Sequence, residues 1–258
     1  MPRAKLIPLV LSIFCCGLFA QGPSNYYETI QETAKTSISA VEFRGIETKG
    51  YASFSDKNTY AILSNAFQNT SEKVWSIVYA EIYFNLDPSS DTSKLFSRRI
   101  ADLLQNSMTK GPEADGKFSI AISLTKTVET PAGDPSLWQS PFENNFEISF
   151  LIAVSTDSKN CFPFSLASLA KARNTQLEIW IEKELPKNEY INHLLSVKAA
   201  GHFEAYNYLL FSGAFSEEFG KWKSSHTGLI EKYQKWVAQN PFTIKSNNFH
   251  RFHTVKRS

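Results

Sequence analysis

Most of this chain repeats its apolar residues every three or four positions, the period of a helix with one buried face. Residues 24–40 place Tyr27, Ile30, Ala34 and Ile38 at that spacing, behind a Ser24 or Asn25 cap. Val41 to Phe54, with Gly45 and Gly50, reads as a connection. From Ser55 a second stripe runs through Tyr60, Leu63, Ala66 and Phe67 and breaks at Asn69-Thr70-Ser71. Val74, Ile77, Val78, Ile82 and Leu86 form a third, stopped by Asp87-Pro88. A fourth starts near Ser90-Asp91 and aligns Leu95, Phe96, Ile100, Leu103 and Leu104. Amphipathic helices joined by turns this short bury their faces on one another.

The helical period fails between residues 117 and 155. Phe118, Ile120, Ile122 and Leu124 alternate with Ser119, Ala121, Ser123 and Thr125, the signature of a half-buried strand. Residues 129–144 hold Pro131, Gly133, Pro135 and Pro141 and read as a loop, far longer than the usual roughly 4–6 residues. Phe146, Ile148, Phe150, Ile152 and Val154 alternate too, which predicts a second strand, although Phe146, Phe150 and Val154 also fit one face of a helix. From Ser165 the helical period returns. Leu166, Leu169, Ala170, Leu177, Trp180 and Ile181 mark a long helix stopped by Pro186, and Tyr190, Ile191, Leu194, Leu195 and Val197 mark the next. Gly201 separates it from Phe203, Tyr206, Leu209 and Leu210, and Gly213 closes that turn. Ser225 caps a last helix with Leu229, Ile230, Tyr233, Trp236 and Val237 inward, ended by Asn240-Pro241.

These elements predict a mainly α fold of packed helix pairs with a small inserted β element around residues 117–155, an α+β arrangement being the alternative. A single domain is expected over 21–242, followed by a basic, flexible tail over 243–258. The 20 Phe, 10 Tyr and 5 Trp supply the core, each burying about 150–250 Å² when enclosed. Trp222 and Trp236 are expected to anchor the C-terminal helices in it.

The first 20 residues follow a different rule. Arg3 and Lys5 precede an apolar run from Leu6 to Phe14, and Ala20 offers a small residue for cleavage, the pattern of a signal peptide. The run is about half the roughly 20 apolar residues that span a bilayer. The expected setting is the periplasm or cell envelope, with a lipid anchor on Cys15 or Cys16 as the alternative. Losing Arg3 and Lys5 brings the 27 basic residues level with the 25 acidic ones, so a globally basic nucleic-acid binder is not indicated. After Glu231 no acid occurs, while Lys232, Lys235, Lys245, Arg251, Lys256 and Arg257 do. Such an end either touches an anionic surface or stays solvated.

Counting back from Pro88, the residues Tyr60, Leu63, Ser64, Phe67 and Ser76 resemble the large and small positions of a tetratricopeptide helix pair, while Ala80 and Tyr83 depart from it. Three larger blocks are Val74-Trp75 through Asn85-Leu86-Asp87-Pro88, then Ala200 to Tyr208, then the stretch with Trp222, Trp236 and Asn240-Pro241-Phe242. Their order resembles an uncharacterised family of bacterial envelope proteins over most of residues 55–242. That resemblance implies a fold and an envelope setting, and no activity, cofactor or catalytic residue.

Candidate chemistry is sparse. His202-Phe203-Glu204-Ala205-Tyr206-Asn207 is the densest polar and aromatic cluster. On a helix His202 and Tyr206 share one face, but His202 and Glu204 point apart and cannot act as one acid–base pair. The other reading is packing by Phe203, Tyr206 and Tyr208 behind a capping His202. His193, His202 and His226 lack the spacing of a zinc site, and His250 and His253 lie in the basic tail, so no metal and no cofactor are expected. Cys161 has no local histidine to activate it, and a small buried hydrophobe is its expected role. The chain holds no nucleophile elbow, phosphate loop or dinucleotide fingerprint.

The expected function is therefore a non-catalytic binding or scaffolding protein with a protein or peptide partner, the alternative being a hydrolase acting on envelope material. Trp138 and Phe142 in the proline-rich loop are the first candidate binding residues, and His202 with Tyr206 on the helical face are the second. Mass spectrometry of the exported protein is expected to find about 20 N-terminal residues missing. An intact Met1 outside the cytosol contradicts the signal-peptide reading, and acyl mass on Cys15 or Cys16 selects the lipid-anchored alternative.

Overall fold

The computed structural model describes residues 56–69, 72–111, 119–124, 142–156 and 163–244. Among them run eight helices and one small sheet: α1 (Lys57–Phe67), α2 (Lys73–Leu86), α3 (Asp91–Asn106), β1 (Met108–Lys110), β2 (Ile120–Ile122), α4 (Phe142–Ser155), α5 (Leu166–Glu182), α6 (Glu189–Ala199), α7 (Phe203–Leu210) and α8 (Ser216–Gln239). The fold is mainly α, built of packed helix pairs, with the expected small β element.

α1 and α2 pack antiparallel. Lys57 at the start of α1 bonds Asp87 just beyond α2, and Ser64 meets Ser76 between them. Two small residues at the crossing let the backbones approach. Ser64 Oγ donates to the Ser76 carbonyl at 3.0 Å and Ser76 Oγ to the Ser64 carbonyl at 2.8 Å. α2 is then enclosed by α1, α3 and α4, and Val74 to Phe84 are buried without interruption. A helix apolar on all sides suits that central place. Glu81 is the one charged residue between Val74 and Leu86.

Local chemistry sets the helix ends. The side chains of Asp56, Ser90, Ser165 and Asn188 accept from the first turns of α1, α3, α5 and α6, each cap worth about 1 kcal/mol. Two longer-range bonds steady the start of α5: Phe164 N–H donates to Gln105 Oε1 of α3, and Leu166 N–H to Glu218 Oε2 of α8, both at 2.8 Å. α6 ends on Gly201 at φ 76°, where His202 N–H returns to the Val197 carbonyl and Gly201 N–H to that of Lys198. α5 ends in the same geometry, with Leu185 N–H returning to Trp180, but Glu184 occupies glycine's place at φ 50°.

The strand expected over 146–154 is instead part of α4. Phe142, Phe146, Phe150 and Val154 form one buried face, and Glu147, Ser149, Leu151 and Ala153 are buried around it. With α5, α2 and β2 packed against it, this helix keeps no broad solvent face to print a polar stripe on the sequence. Its 14 residues exceed the roughly 5–6 of a typical strand, the cue that separates the two periods. The β element is accordingly smaller than 117–155. β2 pairs antiparallel with β1, Met108 opposite Ile122, and β1 falls directly after α3 where no alternation announces it.

Three smaller expectations also change. Leu95 and Ile181, placed on inward stripes, are 58% and 47% exposed. α8 begins at Ser216, well before the expected Ser225 cap, and Ser225 instead marks a kink, with His226 outside helical geometry. Trp222 and Trp236 are half-buried on the edge of the core in separate stacks, the first on Tyr208 at 4.1 Å and His226 at 4.7 Å, the second on His202 at 5.7 Å. The helix expected over 24–40, Cys161 and the tail beyond residue 244 lie outside the described residues.

Gly213 lies against the backbone of α3. A Cβ there would sit 2.6 Å from the Lys94 carbonyl oxygen, and its N–H is held by Ser97 Oγ at 3.1 Å. Gly213→Ala is expected to lower the unfolding free energy by about 1–3 kcal/mol. Glu184→Gly is expected to raise it by about 1 kcal/mol by relieving the left-handed backbone. Urea denaturation of both variants tests these signs, and a stable Gly213→Ala protein contradicts the close approach.

Candidate functional site

A lone carboxylate inside an apolar helix must be paired, because burial strips it of water. Glu81 of α2 is fully buried, and Arg173 from the middle of α5 meets it with 2% of its side chain exposed. Arg173 Nη2 donates to Glu81 Oε1 at 2.5 Å. The same oxygen accepts from the Tyr206 hydroxyl of α7 at 2.7 Å, and Oε2 accepts from the Tyr190 hydroxyl of α6 at 2.8 Å. Arg173 Nε donates to Asn207 Oδ1 at 2.8 Å, and Asn207 Nδ2 returns to the Phe203 carbonyl at 2.8 Å. One ion pair thus joins four helices.

Burial lowers the pKa of Arg173, but Glu81 together with Tyr190 and Tyr206 carries it above its ordinary value. Burial also lifts the Tyr190 and Tyr206 hydroxyls well above theirs, and the adjacent Glu81 adds to the effect. Both phenols therefore remain protonated donors.

The network reaches outward through Asn85. Its Nδ2 donates to the Glu81 carbonyl at 2.9 Å and to the Tyr206 oxygen at 3.0 Å. Both amide protons are thereby placed, so Oδ1 must accept from His193 Nε2 at 3.2 Å. That bond assigns the neutral imidazole its Nε2–H tautomer. Burial lowers the His193 pKa to about 4, and its ring packs on Phe242 at 4.8 Å. Beside Arg173 a cavity of about 10 Å³ lies between Gln176, Trp180, Ile191, Leu194 and Phe203, the room of about one water. Chemically the arrangement is a lock: each charged or phenolic group is directed at another group of the same cluster.

The residues singled out from sequence fall in different places. Trp138 lies outside the described residues. Phe142 is the buried first residue of α4, with ring contacts to Trp75 at 5.3 Å, Trp180 at 5.7 Å and Tyr190 at 6.5 Å. Tyr206 is buried at the ion pair, so it does not share an open face with His202. His202 is half-buried at the start of α7, makes no side-chain cap bond, and leans on Tyr233 and Trp236. Glu204 is exposed and accepts from Trp222 Nε1 at 3.3 Å. His226 bonds the Trp222 carbonyl at 2.8 Å within its own helix. The structure brings together Tyr206, Asn207 and His193, and adds Glu81, Asn85, Arg173 and Tyr190. The signal for Glu81 was its isolation in an apolar run, whereas Arg173, between Lys171 and Asn174-Thr175, is not marked out by its neighbours.

The geometry defines a mainly helical protein organised around a buried ion pair. No family model, no curated protein and no solved structure matches the chain.

Glu81→Leu strands the Arg173 guanidinium and is expected to cost about 3–5 kcal/mol, much of it recovered by adding Arg173→Met. Chemical denaturation of both variants reads this, and losses that simply add contradict the pairing. His193 titrates near 6.5 when unfolded and near 4 when folded, so the unfolded chain holds more protons between those values. Its contribution is therefore fully present above pH 6.5 and lost as pH falls toward 4, by up to about 3 kcal/mol. The stability difference between wild type and His193→Gln is expected to follow that window, and a pH-independent difference contradicts the assignment.

Proposed function

We propose that the protein is an exported, non-catalytic binding or scaffolding module of the bacterial envelope, with a protein or peptide as its partner. The observation that carries this reading is the separation of its chemistry from its surface. The buried ionisable groups Arg173, Tyr190 and Tyr206 are directed at Glu81 and hold helices together. Apolar and aromatic side chains remain outside, including exposed Leu95 and the half-exposed stack of Tyr208, Trp222 and His226. Helices fixed from within and carrying aromatic and leucine side chains outward suit docking of a partner chain. The charged start and apolar run of residues 1–20 support the exported setting.

A thermal-shift screen of peptides and envelope glycans, run beside a broad hydrolase substrate panel, tests this reading. A peptide present at 100 times its Kd adds about 2.7 kcal/mol to unfolding, a rise of several degrees in Tm. A peptide-dependent rise without turnover supports the binding module. Turnover in the panel overturns it in favour of a hydrolase, and the absence of any shift with peptides overturns it as well.

A further inference from the structure

Arg99 of α3 differs from the other half-buried and buried cations whose partners are clear. Arg173 has Glu81, Lys57 has Asp87 and Lys198 has Glu178. Among the described residues no carboxylate lies within ion-pair distance of Arg99, and Asp102, one turn along the helix, is exposed. The guanidinium is held by neutral groups instead. Nη1 donates to Ser64 Oγ at 3.1 Å, and the guanidinium carbon lies 4.8 Å above the Phe96 ring. Ser64 is itself fully buried and committed to Ser76, so its hydroxyl offers direction without charge. Burial lowers the Arg99 pKa, the mark of a cation partly stripped of water with no anion to compensate it.

Along its own row of α3 this guanidinium is flanked by leucines. Leu95, four residues before it, is 58% exposed, and Leu103, four residues after it, is half-buried against the core. Residues four apart share one side of a helix, so the row reads leucine, arginine, leucine. On α1, Ala61 lies one turn before the Ser64 hydroxyl that holds Arg99 and is partly buried against the core.

We propose that this flank of α3, beside Ser64 and Ala61 of α1, is a docking surface for a peptide that presents one side-chain carboxylate between two apolar side chains. This proposal rests on the binding function above and names its partner's chemistry. A guanidinium oriented by a buried hydroxyl and an aromatic ring presents its remaining N–H groups as a fork that matches a planar carboxylate. A single cation between two leucines is complementary to a single anion between two apolar residues. Arg98 is engaged by the Gly213 carbonyl and Lys94 by Asp91, so the flank does not gather the free positive charge that a polyanionic surface needs.

Two labelled helical peptides of 15 residues serve as probes, one with a central glutamate and leucines four residues to either side, the other with glutamine at the centre. Fluorescence anisotropy is expected to show the glutamate peptide binding the wild-type protein about tenfold tighter than the glutamine peptide. Arg99→Gln is expected to erase that preference with an unchanged melting curve, and Leu95→Ala to weaken both peptides equally. A preference that persists in Arg99→Gln, or failure of both peptides to bind wild type, overturns the proposal. Hits from the thermal-shift screen that bind Arg99→Gln as well as wild type remove this surface and leave the binding function standing. Arg99-dependent self-association in sedimentation also overturns it, by assigning the flank to a second copy of the chain.

Discussion

The pairing of Glu81 with Arg173 constrains most of the molecule. A carboxylate at the centre of the most buried helix cannot remain charged there unless a cation and further donors arrive with correct geometry. α5 must therefore be rotated so that Arg173 faces α2, and α6 and α7 must deliver Tyr190 and Tyr206 to the two carboxylate oxygens. Asn207 then fixes the guanidinium in plane by taking its Nε proton. A purely apolar core would tolerate small slips among these helices, whereas a hydrogen-bonded ion pair does not.

The rest of the packing is arranged around that constraint. Phe142 starts α4 among Trp75, Trp180 and Tyr190, so the same α2–α5–α6 junction is closed by aromatic rings on one side and by the ion pair on the other. Ser64 and Ser76 bring α1 onto α2, and Gly213 brings the turn after α7 onto α3. These small residues are placed where bulk is least tolerable. Because the ionisable groups of this junction are occupied with one another, the proposed binding function would rest on side chains that the core leaves outside, such as Leu95 and Arg99.

The candidate site was legible in part. Tyr206, Asn207 and His193 stand out as polar or aromatic residues on helical stretches, and their prominence in the sequence was a real signal. Of the two readings of that cluster, packing describes Tyr206, which turns inward to Glu81 and does not join His202 at the surface. Pro131, Gly133, Pro135 and Pro141 read as a loop over 129–144 that takes in Phe142, yet α4 starts on Phe142. Arg99 gave no signal at all: a basic residue on an amphipathic helix is ordinary until no carboxylate among the described residues proves to lie within ion-pair distance.

The sequence by itself determined where most helices begin and end. Asp56, Ser90, Ser165, Asn188, Pro88 and Gly201 act on backbone groups within a few residues, so their effect can be read locally. It also determined the predominance of helix and the alternation of β2, because those periods reflect one solvated and one buried face. Only the tertiary structure decided that 142–155 is a helix, that β1 pairs with β2, and that Leu95 stays exposed. It alone brought Tyr206 to Glu81 across 125 residues of chain. Each of these outcomes depends on what lies opposite a side chain, and an enclosed helix such as α4 has lost the water-facing stripe that would have recorded its period in the sequence.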